Sequence, residues 1–305
     1  MTDEPRSKLL TVSAGTSNDA FRSTDWVMLM IIALTWGASF LFIDIGLDAF
    51  TPTLIGFARV LLGALTLACV PSARGHIDRG DWPRIVLLAV IWIAIPLTLF
   101  PIAEQWVSSS LAGMLNGAMP IGVAVVATAL GLRRPGRVQI IGLIVGFGGV
   151  VLISADSFSV GGEEALGVAL IMGAVTCYSF SANLAVPLQQ RYGGPTLLLR
   201  VEAVAAVLMA PAGLWGVTES SFKWSSLFAM LALGILGTGA AFAVMASLLG
   251  RVGATRGSVV TYLMPPVSIV LGVLVRDDKI AALSIVGMAV VLVGAVLVSR
   301  KDGPS

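Results

Sequence analysis

Long apolar stretches alternate with short polar connections along most of the chain. Ten stretches of roughly 17–25 mainly apolar residues are each long enough to cross the ~30 Å hydrocarbon core of a bilayer as a helix. They are residues 26–47, 53–71, 84–102, 107–130, 138–154, 165–186, 196–217, 225–249, 254–275 and 281–299. The connections carry Pro, Gly and charged residues and are too short to hold a soluble domain. The pattern predicts an all-α integral membrane protein with ten transmembrane helices.

Composition favours the same fold class. The 305 residues are 57% hydrophobic and only 12% charged, whereas soluble domains carry about 25% charged residues. Lys and Arg (19) nearly balance Asp and Glu (17), so no basic field indicates a nucleic-acid partner. The single histidine, His76, lies in a polar loop, and Cys69 and Cys177 lie in apolar stretches without a CxxC partner. The sequence therefore predicts a protein embedded in the lipid bilayer, with no metal site and no cofactor.

Positively charged residues indicate the orientation of the spans, because Lys and Arg favour the cytoplasmic side of a membrane. With a cytoplasmic N-terminus, 14 of the 19 Lys and Arg residues fall inside, three fall outside, and Arg59 and Arg200 fall within spans. Residues 1–24 lack the apolar core of a signal peptide and are predicted to form a cytoplasmic tail. Because ten is an even number, both termini are expected to be cytoplasmic. We expect the protein in the cell inner (plasma) membrane.

The chain contains an internal repeat. The matched segments are residues 140–154 (IIGLIVGFGGVVLIS) with 285–299 (IVGMAVVLVGAVLVS), Met119-Pro120 with Met264-Pro265 at the same offset, and Pro52-Thr53-Leu54 with Pro195-Thr196-Leu197 at a slightly different one. Each half has five spans, an odd number, so the second half is expected to be inverted in the membrane. Inverted repeats are typical of secondary transporters, whose binding sites lie near the midplane where the repeats meet.

The repeat and the spans together predict five segments. They are a cytoplasmic tail (1–24), a first repeat with spans 1–5 (25–155), an extracytoplasmic linker (156–164), a second repeat with spans 6–10 (165–300) and a cytoplasmic tail (301–305).

Short motifs occur in both halves in the order found in a known transporter family. They are Leu34-Thr35-Trp36-Gly37-Ala38-Ser39-Phe40 in the first span, Arg59 after Pro52 in the second, residues 103–112 (AEQWVSSSLA) before Leu115-Asn116 and Pro120, and residues 253–256 (GATR) before Thr261-Tyr262-Leu263-Met264-Pro265. From about residue 26 to residue 300 the chain resembles the EamA-type family of the drug/metabolite transporter superfamily. The resemblance implies a ten-helix bundle whose central cavity is lined by spans 1–4 and 6–9, with spans 5 and 10 at the periphery. It also implies export of amino acids, other small metabolites or drugs, driven by an ion gradient or by the solute's own gradient.

Charged side chains within the spans are candidate functional residues, because placing a charge in lipid is costly. Arg59 either binds an anionic group of the solute, which its planar guanidinium suits, or forms an ion pair between helices. Glu104 and Glu202 are candidate proton or coupling sites, and the alternative for Glu202 is a partner for a nearby arginine. Arg200 is expected to be an anchor near the cytoplasmic edge, and Asp44 a hydrated acid at a helix end.

Uncharged polar and aromatic residues complete the predicted solute-binding set, which is Trp36, Arg59, Asn116, Tyr178, Asn183 and Tyr262. Each of the uncharged members could instead join helices, as buried amides and hydroxyls do in lipid. Pro120, Pro265 and Pro266 lack backbone donors and are predicted hinges within their helices. The glycines of Gly142-xxx-Gly146 are expected to allow close packing of helices.

These features predict a secondary transporter that works by alternating access. They favour export of a small polar solute that resembles an amino acid or a drug. A channel or a non-transporting membrane subunit is the alternative. A membrane-embedded enzyme is not favoured, because the spans contain no histidine and no paired carboxylates on one helix. A homodimer is left open.

Overall fold

The computed structural model describes residues 21–107, 109–132, 135–154, 162–276 and 282–300, and these form helices with no strand among them. In the first half the helices are α1 (Ser23–Leu47), α2 (Pro52–Ala68), α3 (Trp82–Leu88), α4 (Ile95–Ala103), α5 (Ser109–Asn116), α6 (Met119–Ala129) and α7 (Arg137–Ser154). In the second half they are α8 (Gly162–Tyr192), α9 (Gly194–Thr218), α10 (Trp224–Ala232), α11 (Ala241–Val252), α12 (Ala254–Gly257), α13 (Val260–Arg276) and α14 (Ala282–Ser299). The predicted tails and the predicted linker 156–164 lie wholly or mostly outside the described residues.

Two helices contain a π-helical segment in their middle. Ala89–Ala94 joins α3 to α4, and Leu233–Ala240 joins α10 to α11. The π-helix is a rare conformation that is often found at functional sites. Two short 3-10 turns, Pro71–Arg74 and Arg79–Asp81, lie between α2 and α3.

Several helices are long and apolar enough to cross a membrane. Among the described residues, these are the five stretches Ser23–Leu47, Arg79–Ala103, Glu164–Tyr192, Gly194–Thr218 and Trp224–Val252. Shorter apolar helices include Pro52–Ala68, Met119–Ala129, Arg137–Leu152 and Ile285–Ser299. Large apolar side chains also point outward, such as Val207 (73% exposed) and Ile144 (64% exposed). Lipid is the solvent in which such a surface is stable, so the chain is a multi-pass membrane protein.

Two of the predicted spans are broken rather than continuous. The stretch 107–130 contains α5 and α6, interrupted at 117–118, and the stretch 254–275 contains α12 and α13, interrupted at 258–259. Pro120 therefore lies in the first turn of α6, not in mid-helix as the sequence predicted. A proline is well tolerated in a first turn, where the backbone N–H has no helical partner. Pro265 and Pro266 do lie inside α13, as expected.

Helices α7 and α14 approach each other closely through glycine. A methyl group at Gly142 would lie 2.8 Å from the backbone nitrogen of Val298, and one at Gly149 would lie 2.6 Å from that of Val291. Between these points, Gly294 lies against the backbone of Gly146. As the residue number rises along α7, its partner's number falls along α14, so the two helices are antiparallel. The packing role predicted for these glycines is confirmed.

Contacts near the two ends of the described chain bring them together. The backbone N–H of Phe21 donates to the carbonyl of Ser299 at 3.3 Å. The side chain of Arg256 donates to the same carbonyl at 2.7 Å and lies over the Phe21 ring. Close by in sequence, Arg251 pairs with the buried Asp25 at 2.9 Å. The start of α1 and the end of α14 therefore lie at the same end of the helix bundle.

Candidate solute-binding site

A cavity lies between helices of both halves. Its walls are formed by Trp36, Ser39, Phe40 and Ile43 (α1), Arg59 (α2), Trp92 (the first π-helical segment), Leu97 and Phe100 (α4), Asn116 (α5), Met119 (α6), Tyr178 (α8), Phe242, Met245 and Leu249 (α11), and Thr261 and Met264 (α13). Among the described residues, neither α7 nor α14 contributes a lining residue, which agrees with their expected place at the periphery.

Aromatic rings from several helices line the cavity. Phe242 packs against Trp36, with ring centroids 4.8 Å apart, and against Trp92 at 6.2 Å. On the other side, Phe100 packs against Phe40 at 5.8 Å and against Tyr178 at 6.2 Å. Rings held in such clusters offer a rigid apolar surface to the body of a solute.

Arg59 is the cationic group of the cavity wall and is only 3% exposed. Its Nε–H donates to the hydroxyl of Thr238 at 3.1 Å. That hydroxyl in turn donates to the carbonyl of Leu233 at 3.0 Å, five residues earlier in the second π-helical segment. Within the described part of the chain the two terminal nitrogens of Arg59 make no hydrogen bond, so one side of its guanidinium remains available to an anion.

Asn116 and Thr261 face the cavity from opposite halves and occupy matching positions. Each stands four residues before a proline, Pro120 or Pro265, so its backbone carbonyl lacks the N–H that a helix normally supplies. The Asn116 side-chain nitrogen contacts the sulfur of Met264 at 3.7 Å, while its side-chain oxygen is buried without a partner. These groups add uncharged hydrogen-bonding capacity to the cavity.

Glu202 lies on α9 behind the Arg59 side of the cavity and is completely buried. A methyl group at Gly63, one turn beyond Arg59 on α2, would lie 2.7 Å from Oε2 of Glu202 and 2.9 Å from the Thr238 side chain. The carboxyl group therefore lies beside the threonine that holds Arg59. Neither of its oxygens has a hydrogen-bond partner, and within the described residues no ion pair joins it to Arg59.

Glu104 follows the end of α4 and does not line the cavity. Part of the residue is accessible, yet both carboxyl oxygens are buried and have no hydrogen-bond partner. Glu104 interacts electrostatically with Asp44 and Arg59. The structure thus groups Arg59 with both predicted proton or coupling residues.

Two predicted solute-binding residues lie in contacts between helices instead. Asn183 donates to the carbonyls of Val123 and Ser179, both at 3.0 Å, and so joins α8 to α6. Tyr262 is fully buried and donates its hydroxyl to the carbonyl of Leu143 at 2.8 Å, which joins α13 to α7. For both residues the geometry favours the packing role, because each donates to a backbone carbonyl of a neighbouring helix and neither lines the cavity.

Arg200 is an anchor, as predicted. It donates to the carbonyls of Ala73 and Gly75 at 2.6 and 2.7 Å, in the connection between α2 and α3. The same connection is held by Asp81, which pairs with Arg84 and Arg191.

Sequence reasoning missed Trp92, Phe100, Thr238 and Phe242. A signal for two of them exists, because Phe100 and Phe242 are 142 positions apart, as are Trp36 and Tyr178. A search of the repeat for paired aromatic residues would have found them. Thr238 gives no such signal, since its role depends on the π-helical segment that contains it.

Comparison with known proteins identifies relatives over nearly the whole chain. The EamA-like transporter family matches residues 25–155 and 165–300. An uncharacterized transporter of Archaeoglobus fulgidus is 22% identical, and the match covers 90% of this chain and 99% of that one. A protein of Streptantibioticus cattleyicolor named "Probable terminal-alkyne amino-acid exporter" is 22% identical (90% and 93% covered), and the uncharacterized inner membrane transporter YedA of Escherichia coli is 21% identical (89% and 89%). A solved crystal structure superposes with a TM-score of 0.72 at 20% identity, covering 91% of this chain and 96% of that one, which supports the fold alone.

Proposed function

Because the chain belongs to the EamA-like transporter family, we propose that it is a secondary transporter that exports small solutes carrying a carboxylate and an apolar body. One observation carries the proposal. The guanidinium of Arg59 faces an aromatic cavity with two nitrogens free of hydrogen bonds among the described residues. The planar guanidinium fork matches the geometry of a carboxylate or a phosphate, the common anionic groups of small metabolites. The name of the Streptantibioticus relative, an amino-acid exporter, supports the same class of solute and the outward direction.

The proposed mechanism is alternating access between two inverted halves of five spans each. The inverted symmetry is supported by pairs of equivalent contacts, in which a residue of each half packs on the counterpart of the other's partner. Trp36 packs on Phe242, and their counterparts Tyr178 and Phe100 pack on each other. Binding in a cavity lined by both halves allows one half to rock against the other around the solute.

A second exchanged contact agrees with the first. Gly37 lies against Val267, and the counterparts of these two residues, Ser179 and Gly122, lie against each other.

The matched helices α7 and α14 are antiparallel in their contact, as an inverted repeat requires. The ten proposed spans count α3 with α4, α5 with α6, α10 with α11 and α12 with α13 as one span each.

The proposed location is the inner (plasma) membrane with both termini in the cytoplasm. The excess of Lys and Arg on one side supports the orientation. The contact between Phe21 and Ser299 supports an even number of spans, because it brings the two ends of the chain to one end of the bundle.

Counterflow in proteoliposomes tests the proposal. Vesicles loaded with unlabelled L-leucine or another neutral amino acid should transiently accumulate the labelled form, whereas vesicles loaded with the matching decarboxylated amine should not. A carrier gives this overshoot because inside solute recycles its binding site, and a channel gives only equilibration. Equal counterflow of the amines would contradict the carboxylate class, and equilibration without overshoot would favour the channel.

A further inference from the structure

We propose that Glu202 is an internal competitor for Arg59, so that a solute carboxylate can bind Arg59 only when Glu202 holds a proton. The proposal rests on the proposed function, since it concerns the same arginine. Its consequence is that one proton is taken up when the solute binds and then crosses the membrane together with it. Export would therefore run on the solute's own gradient, and not on proton entry.

The first support is the position of the two side chains. Arg59 and Glu202 lie 143 positions apart, as do Pro52 and Pro195, so they occupy matching places in the two halves. Their helices, α2 and α9, are antiparallel neighbours, with Phe57 against Gly213 and Gly63 against Glu202. Glu202 thus faces α2 one helical turn from Arg59.

The second support is the close approach of Glu202 to the helix that carries Arg59. Gly63 has no side chain and so lets the carboxyl group reach α2, since a methyl group there would lie 2.7 Å from Oε2 of Glu202. Thr238 stands at the same point and holds only the Nε side of the guanidinium. A rotation of the Arg59 side chain about its flexible stem would turn its free nitrogens from the cavity toward Glu202.

The third support is the state of Glu202 in the structure. Its two oxygens are buried and have no hydrogen-bond partner. An ionised carboxylate without a partner is strongly disfavoured in such a place. The arrangement is consistent with a protonated Glu202 and an Arg59 that faces the cavity.

Other charged groups around Glu202 have partners of their own. On the elements packed against α9, Arg84 and Arg191 pair with Asp81, Arg251 pairs with Asp25, and Arg74 bonds to the carbonyl of Ala68. Arg59 also interacts electrostatically with Glu104 and with Tyr178, which faces it from α8. Arg59 is the charged group that interacts with Glu202.

Two states follow, and they balance. In the state that excludes solute, Glu202 has given its proton to water, is a carboxylate and pairs with Arg59. With solute, Arg59 pairs with the solute carboxylate, and Glu202 takes a proton from water. In each state Arg59 faces one carboxylate, so the charge of the guanidinium is balanced in both. A solute that arrives while Glu202 is ionised would leave one carboxylate unpaired, which links the binding of solute and proton.

Proton uptake on binding tests the sign of this linkage. Purified protein in nanodiscs, in weakly buffered solution with a pH indicator, should take up about one proton per L-leucine bound. The affinity for leucine should fall as pH rises, by at most tenfold per pH unit, the limit for one coupled proton. Glu202→Gln should bind leucine without proton uptake and without this pH dependence, while the control Glu219→Gln, at an exposed acid that ends the same helix, should keep both. Proton release on binding, or unchanged uptake in Glu202→Gln, would overturn the competitor role.

A measurement without solute separates this proposal from the proposed function. Infrared spectra of solute-free wild-type protein should show the band of a protonated buried carboxyl group at low pH and its loss at high pH. Glu202→Gln should lose one component of this band, and Glu219→Gln should keep the whole band. If leucine and other neutral amino acids fail to bind while the band behaves in this way, the proposed solute class is wrong and the competitor role of Glu202 stands. If leucine binds and Glu202→Gln leaves the band unchanged, the competitor role is wrong and the solute class stands.

Discussion

The indole N–H of Trp36 on α1 donates to the backbone carbonyl of Gly237 at 2.8 Å. Gly237 belongs to the second π-helical segment and directly precedes Thr238, whose hydroxyl holds Arg59. In this segment the backbone hydrogen bonds depart from the regular four-residue spacing, and the Gly237 carbonyl accepts the indole N–H of Trp36. One segment of the second half thus fixes both an aromatic wall and the cation of the first half.

Removing this hydrogen bond should loosen the site without unfolding the protein. Trp36→Phe keeps a ring against Phe242 and loses the donor to Gly237. A net hydrogen bond is worth about 0.5–1.5 kcal/mol, so we expect leucine affinity in nanodiscs to fall about two- to tenfold. The control is Trp215→Phe, since Trp215 is 71% exposed on the outer surface. Unchanged affinity in Trp36→Phe would show that leucine binding does not depend on this hydrogen bond.

The geometry of the Arg59 guanidinium should matter as much as its charge. Arg59→Lys keeps a cation but loses the planar fork and the bond to Thr238. Hydrogen bonds to charged groups contribute about 1.5–3 kcal/mol, so leucine counterflow should fall at least about tenfold, with melting temperature near that of the wild type. Arg200→Lys is the control, because Arg200 binds loop carbonyls outside the cavity. Normal counterflow by Arg59→Lys would remove Arg59 from the binding site.

Tyr262 should affect stability and leave binding alone. In Tyr262→Phe the carbonyl of Leu143 loses a buried donor, which costs about 1–3 kcal/mol. We expect a lower melting temperature and an unchanged affinity for leucine. Tyr178→Phe is the comparison, because Tyr178 lines the cavity and its change should alter affinity. A loss of affinity in Tyr262→Phe at constant stability would return Tyr262 to the predicted solute-binding set.

Much of this architecture could be predicted from the sequence. The length of the apolar stretches and the high cost of an unpaired charge in lipid leave few alternative folds. The same reasoning singled out Arg59 and Glu202, because charges inside spans are rare and must face other groups. It could not separate Asn116, which faces the cavity, from Asn183, which bonds to carbonyls. Both are polar residues in apolar helices, and only the neighbouring helices decide which group each one meets.

Local backbone irregularities explain the remaining differences. The sequence shows Pro120, but whether a proline bends one helix or begins another depends on the packing around it. The second π-helical segment contains three glycines and the first is followed by Pro96, but neither feature distinguishes a π-helical segment from a kinked or closely packed α-helix. Thr238 owes its role to one of these segments and was missed for that reason.

Both chain ends should be accessible from the cytoplasm. Phe21 and Ser299 touch, and Lys and Arg are concentrated in the segments assigned to that side. Alkaline phosphatase fused after Ser305 should be inactive, and a fluorescent protein fused there should be bright. An epitope inserted after Gly161, in the predicted extracytoplasmic linker, should be labelled in intact cells. Active phosphatase at Ser305 would reverse the orientation.

Two glycines with different surroundings test the contact between α7 and α14. A methyl group at Gly294 would collide with the backbone of Gly146 and lie 2.8 Å from the carbonyl of Gly142. Backbone atoms of a packed helix cannot yield as a flexible side chain can, so Gly294→Ala should separate the helices. Overpacking of this kind costs about 1–3 kcal/mol, and we expect a clear fall in melting temperature and in the amount of protein recovered. Gly148→Ala is the matched control on α7, because a methyl group there would meet no atom within 4 Å. Alanine also favours the helix over glycine by up to about 1 kcal/mol, so Gly148→Ala should melt at or above the wild-type temperature. Equal melting temperatures for the two variants would mean that α7 and α14 are not held in contact at Gly294.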